Sequence, residues 1–125
     1  RIDLPDPMPL TDVELCTVLG NLLDNAVEAC SRQTKGKRRI LAVGEIRGNM
    51  YFLKIENTYD GLILPEEKTF RSRKGTAADH GIGLSSVRRI LENHGGDLDL
   101  VPGEETFLVG ITIECPFISK SQRVI

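Results

Sequence analysis

Two asparagines and an acid share one stripe of an otherwise apolar stretch. "GNLLDNAVEAC", residues 20–30, reads as a helix whose leucines, alanines and valine fill a core, yet Asn21 and Asn25 sit one turn apart and Glu28 follows. At 3.6 residues per turn the three lie within about 60° of one another, so their side chains converge on one patch. Asparagine is a mediocre helix former, because its side chain competes for nearby backbone groups. Its carbonyl is nevertheless a neutral, hard oxygen ligand, suited to a Mg²⁺ ion that keeps most of its waters and shares phosphate oxygens. The bland alternative is a solvated helix face. Such faces usually mix lysine and glutamate, whereas Gly20, Leu22, Ala26 and Ala29 make this stripe narrow.

A second stretch points to an anion. "HGIGLSSV" places Gly81 and Gly83 just before an expected helix N-terminus. Glycines there let backbone N–H groups approach a negative group closely, and the helix dipole favours it. Taken alone, the stretch could equally be a tight turn. It is not a Walker A loop, since no Gly-Lys-Ser/Thr follows, nor a dinucleotide-binding fingerprint, since no strand precedes it. Upstream, "RSRKG" supplies Arg73 and Lys74, which could reach phosphates or simply form a solvated basic loop. A third polar element is "IENTYDG", where a strand runs into a glycine-containing loop.

These groups need a scaffold, and the pattern outlines one. Thr11 followed by Glu14 fits a capping box, with helical period from there to about Ser31. "ILAVGEI" and "MYFLKIEN" read as strands joined at Arg47-Gly48-Asn49. From Thr58 to His80 there is no period, and loops of that length are usually lids or disordered. "SSVRRILENH" reads as a second helix stopping at Gly95-Gly96, and "DLDLV" and "TFLVGITIEC" as a last strand pair around Pro102-Gly103. The order predicts an α+β fold, two layers, with helices on one face of a mainly antiparallel sheet. Residues 1–10 are expected to be a linker and 118–125 a frayed tail, around a single domain.

Composition narrows the function classes. A length of 125 residues fits one core and leaves no room for a second. A net charge of -2 argues against a general nucleic-acid or membrane surface, and 5% aromatics against a stacking platform for single strands. No apolar run approaches the roughly 20 residues of a membrane helix. Cys16, Cys30 and Cys115 match no metal spacing and are expected to be buried, reduced thiols of a cytoplasmic domain. The opening "RIDLPDPMPL" has no initiating Met and is expected to continue from something longer.

Asparagine stripe, polar strand end, long loop and glycine turn occur in the order of the GHKL ATP-binding (Bergerat-type) fold, the superfamily of DNA gyrase, MutL and the sensor histidine kinases. "NLLDNAVEA" resembles the N box of the kinases, and "HGIGLSSVRRILENHGGDL" their second glycine box with its following helix; Phe107 resembles the usual hydrophobic close. Within the superfamily, the chain looks most like quorum-sensing kinases of the AgrC type and the citrate-sensor type. The resemblance spans Val13 to Pro116.

It implies ATP and Mg²⁺ as cofactors. Asn25 would ligate the metal, with Asn21 beside metal and phosphates and Glu28 at the rim. Gly81, Ile82, Gly83 and Leu84 would wrap the phosphates with backbone amides, while Arg73 and Lys74 would meet the β- and γ-phosphates. The first glycine box, usually Asp-x-Gly-x-Gly, aligns with Asn57 to Gly61. Asn57 would then accept from the adenine amine in place of aspartate, and Tyr59 would replace the first glycine. Family members that hydrolyse ATP carry a glutamate where this chain has Asn21. Asparagine cannot take a proton at neutral pH, which favours transfer to a histidine over hydrolysis. The resemblance further implies an acceptor histidine on a separate dimerising helical domain, a response-regulator partner, a monomeric fragment and a homodimeric whole. The eroded glycine box leaves open a non-catalytic nucleotide-binding or interaction module of the same fold.

Overall fold

The computed structural model describes residues 1–64, 82–115 and 122–124. In chain order the elements are β1 (Asp3–Pro5), α1 (Asp12–Arg32), β2 (Ile40–Arg47), β3 (Met50–Thr58), α2 (Ile82–Asn93), β4 (Asp97–Pro102), β5 (Thr106–Glu114) and β6 (Gln122–Val124). Four strands form an antiparallel sheet in the order β2-β3-β5-β4. Both helices cover one of its faces, as the α+β pattern predicts.

Alternation builds that face. Tyr51, Leu53, Ile55 and Asn57 on β3 are buried, as are Phe107, Val109, Ile111 and Ile113 on β5, and the register sets Leu53 opposite Ile111 and Ile55 opposite Val109. Helix α1 lays Val18, Leu22, Ala26, Ala29 and Cys30 onto the core. Its start is the expected capping box: Thr11 Oγ1 accepts from the Glu14 N–H at 3.1 Å, and Glu14 Oε1 accepts from the Thr11 N–H at 2.9 Å. Helix α2 buries Leu84, Val87 and Leu91 and ends at Gly95, whose φ of +71° needs a residue without a Cβ. Gly96 closes the turn by donating to the Leu91 carbonyl at 2.7 Å. A Cβ on Gly96 would lie 2.6 Å from the Thr112 carbonyl, so glycine at this position lets the chain turn back tightly onto the sheet.

Four expectations are corrected. Residues 1–10 are not a bare linker: Ile2, Leu4 and Leu10 are buried, and Gly44 donates to the Arg1 carbonyl. The 118–125 tail is not wholly frayed, because β6 pairs antiparallel with β1. Helix α2 begins at Ile82 instead of Ser85, which puts Gly83 inside its first turn. Cys16 is exposed, and only Cys30 and Cys115 are buried. Among the described residues no helix is long and apolar enough to cross a membrane.

The helices are tied at the end away from the asparagines. His94 Nε2, just past α2, lies 3.1 and 3.2 Å from the two Glu14 carboxylate oxygens. The hydrogen bond from the Thr11 backbone, and then that with His94, hold the Glu14 carboxyl below its ordinary value. A carboxyl lowered on folding stabilises the fold above its ordinary pKa, and that contribution is lost as pH falls through the lowered value. Gln at position 14 keeps the cap but not the charge. Glu14→Gln is therefore expected to melt below the parent at pH 7, with the gap closing as pH drops below about 4. Thr11→Ala, which loses the cap, should cost about 1 kcal/mol in denaturant unfolding.

Candidate functional site

The polar stripe of α1 faces the start of α2. Asn21 is half-buried and donates through Nδ2 to the Thr17 carbonyl, one turn back, at 2.7 Å. That bond turns Oδ1 toward α2, where a Cβ built on Gly83 would lie only 2.9 Å from it. The second glycine of "HGIGL" is thus a contact residue: its missing side chain is the space that Asn21 occupies. One turn further along, Asn25 is half-buried and makes no side-chain hydrogen bond with another described residue. Glu28, further along α1, is exposed.

Small residues floor the next turn. Ala26 and Ala29 are buried, and the Cys30 thiol points to the Thr58 carbonyl at 3.3 Å. The same carbonyl accepts from Asn57 Nδ2 at 3.0 Å. Asn57 is 4% exposed, at the end of β3 on the helix-covered face. One N–H of the amide is engaged by the Thr58 carbonyl, and the side chain keeps its second N–H and its carbonyl for other partners. From Asn21 to Cys30 the track along α1 is about 13 Å long.

Tyr59 does not intrude on this track. It is buried, its hydroxyl donates to the Gly103 carbonyl, and its ring meets Phe107 edge-on at 5.6 Å and 89°. Its backbone N–H donates to the Glu105 carbonyl at 3.1 Å. The residue replacing the first glycine is a brace that locks the end of β3 to the β4–β5 turn. The chain then turns away: Asp60 Oδ1 accepts from the Leu62 N–H at 2.9 Å, and Gly61 has a φ of +88°, a conformation that favours glycine.

Among the sequence-derived candidates the fold gathers Asn21, Asn25, Gly83 and, at the far end of the track, Asn57. Ile82 opens α2, and the Leu84 side chain is spent on the core, leaving its backbone for any ligand. Arg73, Lys74, His80 and Gly81 lie outside the described residues. Sequence reasoning missed Thr17 and Thr58, whose carbonyls orient the two amides. The four-residue step from Thr17 to Asn21 was readable, whereas the role of Thr58 emerges only from the fold. Among the described residues no group of three or more His, Cys, Asp or Glu could hold a metal. A hard cation at Asn25 would therefore depend on oxygens from a ligand, which is how Mg²⁺ commonly sits beside phosphates. The residues fit a shared ion, not a stand-alone one.

Two substitutions test this geometry. Tyr59→Gly restores the expected glycine but empties a buried ring site, so it should destabilise by about 3 kcal/mol or more. An unchanged midpoint of urea unfolding would refute the brace. Gly83→Ala gains helix propensity while displacing the end of Asn21, so stability should change by no more than about 1 kcal/mol. Its effect should instead appear as altered chemical shifts of the Asn21 side-chain amide.

Residues 10–114 match the family model described as the GHKL domain. The chain is 36% identical over 123 residues to the sensor protein kinase CarS of Pseudomonas aeruginosa, covering 93% of this chain and 25% of that protein. It is 31% identical over 99 residues to the sensor histidine kinase CitA of Klebsiella pneumoniae, covering 74% and 17%. The chain thus spans a quarter or less of the length of these relatives. Among solved structures, the catalytic domain of the histidine kinase ThkA, in a nucleotide-free form, superposes with a TM-score of 0.64 at 27% identity, covering 85% of this chain and 70% of that one. The histidine kinase domain of the E. coli osmosensor EnvZ superposes at 0.60 with 22% identity, covering 93% and 72%, a likeness of fold.

Proposed function

The chain belongs to the GHKL domain family, as a catalytic domain of the sensor histidine kinase kind, and from that premise we propose that it binds ATP with Mg²⁺ along the α1 track and passes the γ-phosphoryl to a histidine on a separate helical domain. The observation that carries the proposal is the contact between Asn21 and Gly83, which brings the amides of an α2 N-terminus to the asparagine stripe. Helix N-termini favour anions, and the stripe next to this one presents neutral oxygen ligands.

In this reading the base lies toward Asn57, whose carbonyl accepts from the adenine amine. The triphosphate runs back along α1 to the start of α2. Backbone amides from Gly81 to Leu84 hold its phosphates, and Arg73 and Lys74 meet the terminal ones. Asn25 would hold the Mg²⁺, whose positive charge would offset the negative charge of the phosphates. Asn21 keeps the helices at their spacing and offers its oxygen to the metal's water shell. No carboxylate occupies position 21 to activate water, so the acceptor must bring its own lone pair, as a neutral imidazole does. The partners are the acceptor helical domain and, beyond it, a response regulator. The domain works on the cytoplasmic side of a larger, dimeric, membrane-bound sensor.

Titration with a fluorescent ATP analogue tests the binding half. We expect saturable binding that requires Mg²⁺, a loss of at least ten-fold for Asn25→Ala, and a clear weakening for Gly83→Ala with little change in melting temperature. Binding indifferent to both changes would refute the site. The catalytic half is tested by supplying a matched acceptor domain in trans. Acid-labile phosphate should form on its histidine, with negligible ATP hydrolysis in its absence. Normal nucleotide binding without any transfer would identify a non-catalytic module.

A further inference from the structure

Helix α1 has a third face that neither the core nor the proposed site uses. Val13, Cys16, Gly20, Leu23 and Val27 follow one another at steps of 3, 4, 3 and 4 residues. That is the spacing of a helix–helix seam, in which alternate steps keep apolar residues on one line. The line is outside the fold: Val13 is 76% exposed, Val27 53% and Leu23 36%, and Cys16 and Gly20 are exposed as well. At 100° per residue it points away from the buried stripe of Val18, Leu22, Ala26 and Ala29 and well clear of Asn21 and Asn25. A solvated helix face normally alternates charges, so a continuous apolar line some 21 Å long marks a contact surface.

Its chemistry selects the occupant. Asp12 and Asp24 stand about 60° to either side of the line, both exposed and neither in a salt bridge with a described residue. At mid-line, a Cβ on Gly20 would meet nothing within 4 Å, leaving a notch that admits a neighbouring backbone closely. A second copy of α1 crossed at Gly20 would set carboxylates against carboxylates, because the exposed acids Asp12, Asp24 and Glu28 outnumber Arg32 on this helix. An anionic membrane would be repelled for the same reason. We infer that the outer face of α1 docks a separate amphipathic helix of about four turns, whose apolar seam lies along Val13 to Val27 and whose flanking positions carry lysine or arginine. This is the helix-on-helix mode of recognition, with apolar anchors supplying affinity and flanking charge selecting the partner. The inference does not depend on nucleotide binding.

Cys16 is a built-in reporter, since Cys30 and Cys115 are buried. Two synthetic helical peptides with the same leucine seam, one flanked by lysine and the other by glutamate, are titrated into the 125-residue chain. The lysine peptide is expected to slow alkylation of Cys16 by a maleimide at least ten-fold at saturation and to shift the amide resonances of residues 13–27. Salt should weaken that protection, as should Asp12→Asn with Asp24→Asn, each several-fold. Val13→Ser with Leu23→Ser should abolish it at unchanged melting temperature. No protection by millimolar lysine peptide would overturn the inference, as would equal protection by both peptides. Protection that grows with protein concentration alone would also overturn it, by identifying a second copy as the occupant.

Discussion

The constraint on which the candidate site rests is the approach of α2 to α1 at Gly83. Asn21 is held by the Thr17 carbonyl on one side and by the absence of a Cβ on the other. The two helices run antiparallel from that contact to the Glu14–His94 pair, so they are tied at two points by groups of different chemistry. One tie is steric and neutral, the other a partly exposed hydrogen bond between an imidazole and a carboxyl group. The steric tie sets how near the α2 N-terminus comes to the asparagine stripe, and every proposed phosphate contact depends on that distance.

Replacing a ligand-loop glycine by tyrosine looks like decay when read only as a motif. In the fold it is a change of support. The ring packs edge-on against Phe107 and the hydroxyl bonds to the β4–β5 turn, so the end of β3 is fastened to its neighbour by a side chain. Asn57, two residues earlier, is held by the same strand end, with Thr58 as the shared acceptor. A braced strand end and a neutral amide would let the proposed base-reading position bury no charge.

The elements that carry a period were legible. Thr11 and Glu14 announced α1, Gly48 the hairpin, and Gly95-Gly96 the end of α2, because caps and turns are local chemistry. The asparagine stripe and the glycine turn could be paired only through a family resemblance; nothing local says that Asn21 meets Gly83. Long-range pairing likewise hid β1 and β6, three-residue strands too short for alternation to register. Ile2 and Leu4 look like ordinary linker residues until β2 supplies a surface for them. The start of α2 was misplaced because glycine is read as a breaker, whereas Gly83 is kept inside a helix for the space it leaves.

That last point bears on why position 21 is asparagine. The residue must donate to Thr17, fit against Gly83 and present an oxygen toward the start of α2. Glutamate has no N–H for the Thr17 carbonyl, and two acceptors would face each other there. It is also one methylene longer, in a gap where even a Cβ on the facing residue comes within 2.9 Å of the existing side chain. The helix spacing seen here therefore suits an amide and disfavours the carboxylate that a hydrolase would use as its base. The proposed preference for a histidine acceptor over water would then follow from packing as much as from acid–base chemistry. With glutamate at position 21, the side chain would have to turn away from the Thr17 carbonyl, which keeps its helical bond, and from the space beside Gly83.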